Sequence, residues 1–290
     1  MIRKYIFKFW VSLLNFRIDI SSQDKIILNK DILIRLTTSF EDERLADLYK
    51  ENFPRSSYSN YLLQIILRKD TPEIEPGQFL TEADEKIKKA VTIFRLFKKE
   101  RIGYNLMVQP LSEELKYGHT TRFLLHQKLW SSEKTPEIYI LKESEIQAFK
   151  IFFNNFYKIL FSRYDLAIEY FNKSYIEPYT PRDSFLDLMI TLENLFLKKT
   201  SQELSYKLSM RMAYILGKDK KDRINIYRFI KDAYNLRSKI VHGEKLDKLD
   251  NQRFLELREL TRKSIIYFLE NKDNWNGKKL DRLILEARES

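Results

Sequence analysis

Residues 222–243 read DRINIYRFIKDAYNLRSKIVHG, and this stretch decides how the second half of the chain folds. At about 100° per residue, Tyr227, Tyr234, Val241, Ile230, Arg237, Ile226, Ala233 and Ile240 share one arc of roughly 140°. The stretch is therefore an amphipathic helix, and Arg237 sits near the middle of its apolar face. His242 lies on the flank of that arc and directly precedes Gly243, which holds the position expected just past a helix end. On a continuous helix Arg237 and His242 leave about 140° apart. Their tips converge only if the helix loosens before Gly243 or a second chain supplies part of the site.

The same periodicity extends on both sides. Residues 143–177 read as one long or kinked helix closed by Pro178 and Pro181, followed by helices over 183–199, 201–217 and 251–271, with Gly217 as a stop. The tail NWNGKKLDRLILEARES would add a short terminal helix. Before residue 143 the pattern differs. Short aliphatic runs at 31–37, 59–67, 102–110 and 136–141, bounded by turn residues, read as strands around a helix at 81–100 with Thr81 as its N-cap. The expected architecture is an α+β N-terminal domain, 1–142, then an all-α helical bundle, 143–290, with a predominantly α chain overall.

Two more charges fall on apolar helix faces. Glu193 lies just inside Leu186 on a face centred on Phe185, Met189, Leu192 and Phe196, and Arg211 stands between Leu204, Leu208 and Ile215. An unpaired charge in a core costs several kcal/mol, so such groups pair, neutralise or line a wet cleft. One glutamate and two arginines on adjacent helices predict a cluster.

Composition narrows the class. With 52 Lys and Arg against 41 Asp and Glu the net charge is +11, which favours polyanionic partners, although the basic residues are interleaved with acids. The chain has no cysteine, so disulfides and thiolate metal sites are excluded and a reducing cytoplasm fits. The opening MIRKYIFKFWVSLLNFRIDI starts basic and apolar like a signal peptide, but Lys8 and Arg17 interrupt it and no small-residue cleavage site follows. No run reaches the ~18 apolar residues of a membrane span. A soluble cytoplasmic protein without membrane contact is expected.

Three blocks in order carry a resemblance: FLDLMITLENLFL with Glu193, LSYKLSMRMAYILG with Arg211, and IYRFIKDAYNLRSKIVHGE with Arg237, four residues and His242. Over residues 145 to 270 the chain resembles the HEPN superfamily, and within it the Apea-like branch of prokaryotic phage-defence and toxin proteins. The resemblance implies a helical homodimer and a metal-independent endoribonuclease needing no cofactor, with RNA as substrate and an antitoxin or trigger protein as a further partner. His242 would handle the proton and Arg237 the phosphate at a site made by two protomers. Glu193, Arg211, Ser238 and Lys239 would stand around them, positioning the pair or contacting phosphate. Ser238 occupies a position where active members often carry Asn, Asp or His. The alternative is therefore a non-catalytic HEPN module that binds RNA, a nucleotide or a protein and dimerises.

Other readings compete locally. Arg237 and Glu193 also suit a buried ion pair that fixes helix packing. His119 and His126 lack a carboxylate cluster and make a poor metal site. The aromatic run at 149–161 suits a core or a dimer interface better than a base-stacking surface. Phe229 and Leu236, off the main arc of their helix, point to a second apolar surface.

Overall fold

The computed structural model describes residues 3–19, 25–52, 59–71, 78–109, 122–125, 138–160, 164–176, 181–244, 250–271 and 277–286. They form two compact units, Met1–Lys158 and Ile159–Ser290.

The first unit is built on the opening residues, which form strands. In β1 (Arg3–Leu14) Phe9, Val11 and Leu13 are buried on one face while Ile6 and Lys8 point outward, the period-2 alternation of a strand. Lys8 is thus an outward strand position. The chain turns at Asn15, which adopts a left-handed φ of 56° and donates from Nδ2 to the Arg101 carbonyl at 2.7 Å. It continues as β2 (Phe16–Asp19).

Strands β3 (Lys25–Ile27), β4 (Ile32–Leu36), β5 (Tyr61–Thr71), β6 (Gly103–Gln109) and β7 (Arg122–Leu125) join β1 in an antiparallel sheet ordered β3-β4-β5-β1-β6-β7. β2 instead pairs in parallel with β8 (Tyr139–Lys142). The four strand expectations match β4, β5, β6 and β8. α1 (Ser39–Asn52) has no counterpart among them, and α2 (Gln78–Phe97) begins before Thr81, which is therefore an interior residue and not a cap.

The helix α2 buries Ala83, Ile87, Ala90, Val91 and Phe94. Phe94 is the centre of an aromatic cluster, with ring centroids 5.6 Å from Phe16, 5.9 Å from Tyr139 and 4.7 Å from Phe149. Phe149 belongs to α3 (Ile146–Tyr157), so that helix packs into the first unit. The two units consequently meet at 158/159 and not at 142/143, and the aromatic run at 149–161 is largely core: Phe149 and Phe153 are fully buried.

The second unit is helical: α4 (Asp165–Lys173), α5 (Pro181–Phe196), α6 (Leu204–Leu216), α7 (Lys220–Val241), α8 (Asn251–Glu270) and α9 (Gly277–Glu286). The expected helix over 143–177 is two separate helices, α3 and α4. Pro181 opens α5 at its first position, where its missing N–H has no bond to lose. Side-chain oxygens cap two N-termini: Asp219 accepts from the Asp222 amide at 2.8 Å, and Asp250 from the Gln252 amide at 3.0 Å. α5 packs against α4, α6, α7 and α8, which explains why apolar and small residues surround much of its circumference. Among the described residues no helix is long and apolar enough to cross a membrane.

Candidate functional site

The C-terminal end of α7 is closed by backbone bonds. The Glu244 amide donates to the Lys239 carbonyl at 3.0 Å and the Gly243 amide to the Ile240 carbonyl at 3.1 Å, with Gly243 at φ 76°. This double bond pattern needs a left-handed residue just after the cap, which glycine adopts without a Cβ clash. The His242 amide still donates to the Ser238 carbonyl at 3.0 Å, so α-helical bonding runs through His242 and the helix does not loosen before Gly243. His242 and Lys239 are exposed and Ser238 is half-buried.

The buried stripe of α7 is Ile226, Ile230, Ala233 and Ile240. Arg237 continues that stripe but is 29% exposed, and its neighbour on the expected arc, Val241, is 55% exposed. Phe229 and Leu236 are half-buried.

Arg237 faces Glu193 on α5. Nη2 donates to Oε2 at 3.4 Å, and Nε lies 3.1 Å from Oε1 without the alignment of a hydrogen bond. The guanidinium carbon also stands 5.8 Å from the centre of the Tyr234 ring. Burial raises the Glu193 carboxyl above its usual range, and the Arg237 charge opposes this only in part. Burial likewise raises the Tyr234 hydroxyl, with the Glu193 carboxylate adding to the effect and Arg237 opposing it. The pair is a loosely aligned, half-exposed one. Neither Nη1 hydrogen of Arg237 has a partner among the described residues, so the guanidinium keeps donors for an oxyanion.

Arg211 does not join this pair. It is 2% exposed, and its Nε and Nη2 donate to the two carboxylate oxygens of Asp281 on α9, each at 2.8 Å. Nη1 donates to the Phe196 carbonyl at 2.6 Å and to the Thr200 hydroxyl at 3.2 Å. Arg211 therefore ties α9 to the carbonyl end of α5. The hydrogen bonds from Arg211 hold the Asp281 carboxyl below its usual range. A Cβ on Gly277 would come within 2.8 Å of Nη2, so the backbone of α9 lies against the guanidinium.

The expected three-charge cluster is thus two separate arrangements. Arg182 on α5, not singled out in the sequence, donates from Nη2 to the Ile240 carbonyl at 2.6 Å and sets a cation against the carbonyl end of α7. Its place one residue after Pro181 gives no signal of that reach across the bundle. Asp281, Thr200 and Gly277 give no signal of this contact in the sequence: Asp281 is distant in the chain, Thr200 falls between two expected helices, and Gly277 lies in the tail expected to form a terminal helix. His119 and His126 lie outside the described residues. Among those residues no group of three or more His, Cys, Asp or Glu gathers as metal ligands do.

Within one chain Arg237 and His242 leave an unbroken helix about 140° apart and about 7.5 Å apart along its axis. One chain alone does not aim them into a common cleft. Comparison with known proteins supplies no relative: no family model, curated protein or solved structure matches the chain.

Proposed function

We propose that the helical unit is a metal-independent endoribonuclease of HEPN type, acting in the cytoplasm as an antiviral or toxin effector. The carrying observation is the half-exposed Arg237 guanidinium, steadied by Glu193 and keeping unbonded donors, five residues before a histidine exposed at the helix end. Because the helix is continuous through His242, the site requires two copies of the chain, one bringing Arg237 and the other His242 to the same phosphate.

The chemistry is attack by the RNA 2′-hydroxyl on the adjacent phosphorus. A P–O bond forms to the 2′-oxygen, the P–O bond to the 5′-oxygen breaks, and a 2′,3′-cyclic phosphate and a 5′-hydroxyl result. His242 moves a proton between the 2′-hydroxyl and the leaving oxygen, and Arg237 neutralises the phosphorane. Lys239 adds a cation at the same helix end. Ser238, whose carbonyl already accepts the His242 amide, keeps its hydroxyl for orientation.

Purified protein incubated with RNA and a chelator should cleave, and Arg237→Ala or His242→Ala should each lower the rate by about 100-fold or more. Equal cleavage by all three proteins overturns the assignment, and a monomer by light scattering at micromolar concentration overturns the two-copy site. The engagement of Arg237 by Glu193 favours a second reading, a non-catalytic HEPN module that dimerises and binds RNA, a nucleotide or a protein. RNA binding that survives His242→Ala, with no cleavage by the unmodified protein, would establish it.

A further inference from the structure

A cavity of about 570 Å³ opens beside Arg211, and its charged lining is Lys198, Lys199, Lys207, Lys278, Arg211 and Asp281. The one carboxylate is already held by both arms of Arg211, so four ammonium groups face the space with little internal compensation. Lys207 has a 3.5 Å contact with Glu203, whose side chain is 69% exposed. No other ion pair of these lysines occurs among the described residues. No aromatic or branched aliphatic side chain lines the cavity, so a base would find no ring to stack on there.

The floor is rigid. Four of the five N–H bonds of Arg211 are satisfied, which leaves one on Nη2 without a partner among the described residues, on a guanidinium 2% exposed. An unpaired buried donor is costly unless something accepts from it. The rim is strained as well. Of the three non-glycine residues with positive φ among the described residues, two bound this loop: Lys199 at 63° and Glu203 at 54°. Such conformations are strained for residues with a Cβ and gather where a binding geometry is imposed.

We propose that this cavity binds a small polyphosphorylated ligand through its phosphoryl oxygens. The lysines supply charge, the Thr200 hydroxyl and the free Nη2 hydrogen of Arg211 supply direction, and Gly277 keeps the floor open by lacking a Cβ. The volume matches small-ligand pockets, typically about 300 to 1,000 Å³. The site uses neither Arg237 nor His242, so it stands whether or not the nuclease assignment does.

Calorimetric titration of the full chain with tripolyphosphate tests it. Saturable binding of one ligand per chain is expected. The double variant Lys199→Ala/Lys278→Ala should weaken it by about tenfold or more. The equal charge change Lys220→Ala/Lys221→Ala, at the exposed start of α7, should leave it within about twofold. Arg237→Ala should also leave it unchanged. Equal weakening by the two double variants, or heat that never saturates, overturns the proposal. So does a short single-stranded RNA that displaces tripolyphosphate at lower concentration and loses binding with the same cavity variant, because the surface would then be an RNA contact.

Discussion

Arg211 and Arg237 stand on neighbouring helices, each on a face the sequence marks as apolar, and each meets one carboxylate. Arg211 is buried, doubly bonded to Asp281 and further bonded to a carbonyl and a hydroxyl. Arg237 is half-exposed, imperfectly aligned with Glu193 and keeps an unbonded edge. The carboxyls respond in opposite directions: Asp281 is held below its usual range by its hydrogen bonds, while burial lifts Glu193 despite its partner. A guanidinium with four of its five N–H bonds satisfied inside the protein is first a structural tie, and one that makes a single long hydrogen bond retains more capacity to bind charge. Residue type and helical position do not separate the two roles; the number of satisfied donors does.

The contrast can be broken most severely at Arg211. Arg211→Ala strips partners from the Phe196 carbonyl and from Asp281, whose side chain is 43% exposed, and should cost the full chain about 3 kcal/mol, read as a lower urea midpoint. A loss no larger than that of Arg237→Ala would erase the distinction.

A third carboxyl, with no arginine beside it, extends the comparison. Asp187 on α5 is buried, with Oδ2 unbonded. Burial pushes its titration up to about 6, Lys173 opposing and Asp183 adding. Since the folded form holds its proton to higher pH than the unfolded chain, stability should fall as pH rises from about 4 through about 6, by as much as about 3 kcal/mol. Asp187→Asn should flatten that slope in urea titrations at a series of pH values. Asp281 carries the opposite sign: its contribution is present above the ordinary carboxylate range and is lost as pH falls through its lowered value.

Smaller effects belong to the end of α7. Arg237→Ala should cost only about 1 kcal/mol, as half-exposed pairs do, while abolishing the proposed cleavage. Stability loss and activity loss would then part company there as they do not at Arg211. Gly243→Ala places a side chain at φ 76° and should cost about 1 kcal/mol, visible as a small fall in melting temperature.

Helix periodicity made α5 to α9 readable because apolar residues recur along each at helical spacing, and the positions of Glu193 and Arg237 on facing helix faces sufficed to pair them. Arg211 was misassigned to that pair because its partner, Asp281, lies on the terminal helix and helical phase says nothing about distant contacts. β1 was hidden for a different reason. Its outward Lys8 reads as an interruption when the stretch is judged by hydrophobic length, and as regular alternation only when it is judged by period two. α1, rich in charge along SFEDERLADLYKEN, gave no strong apolar stripe. The boundary between units moved because Phe149 answers to Phe94, a contact between two segments whose local patterns are both simply helical.

The parallel pairing of β2 with β8 matches Phe16 with Tyr139 and closes a very long stretch of chain. Loop closure of that kind must be completed before the contacts it brings together repay its entropy, so the sheet unit should be the slow step of folding. The helical unit, whose α6 and α7 meet across a short turn, has no such wait. During synthesis β2 must therefore wait for its partner until residues 139–142 have emerged, whereas β1 meets β5 and β6 earlier and has both its edges covered before then.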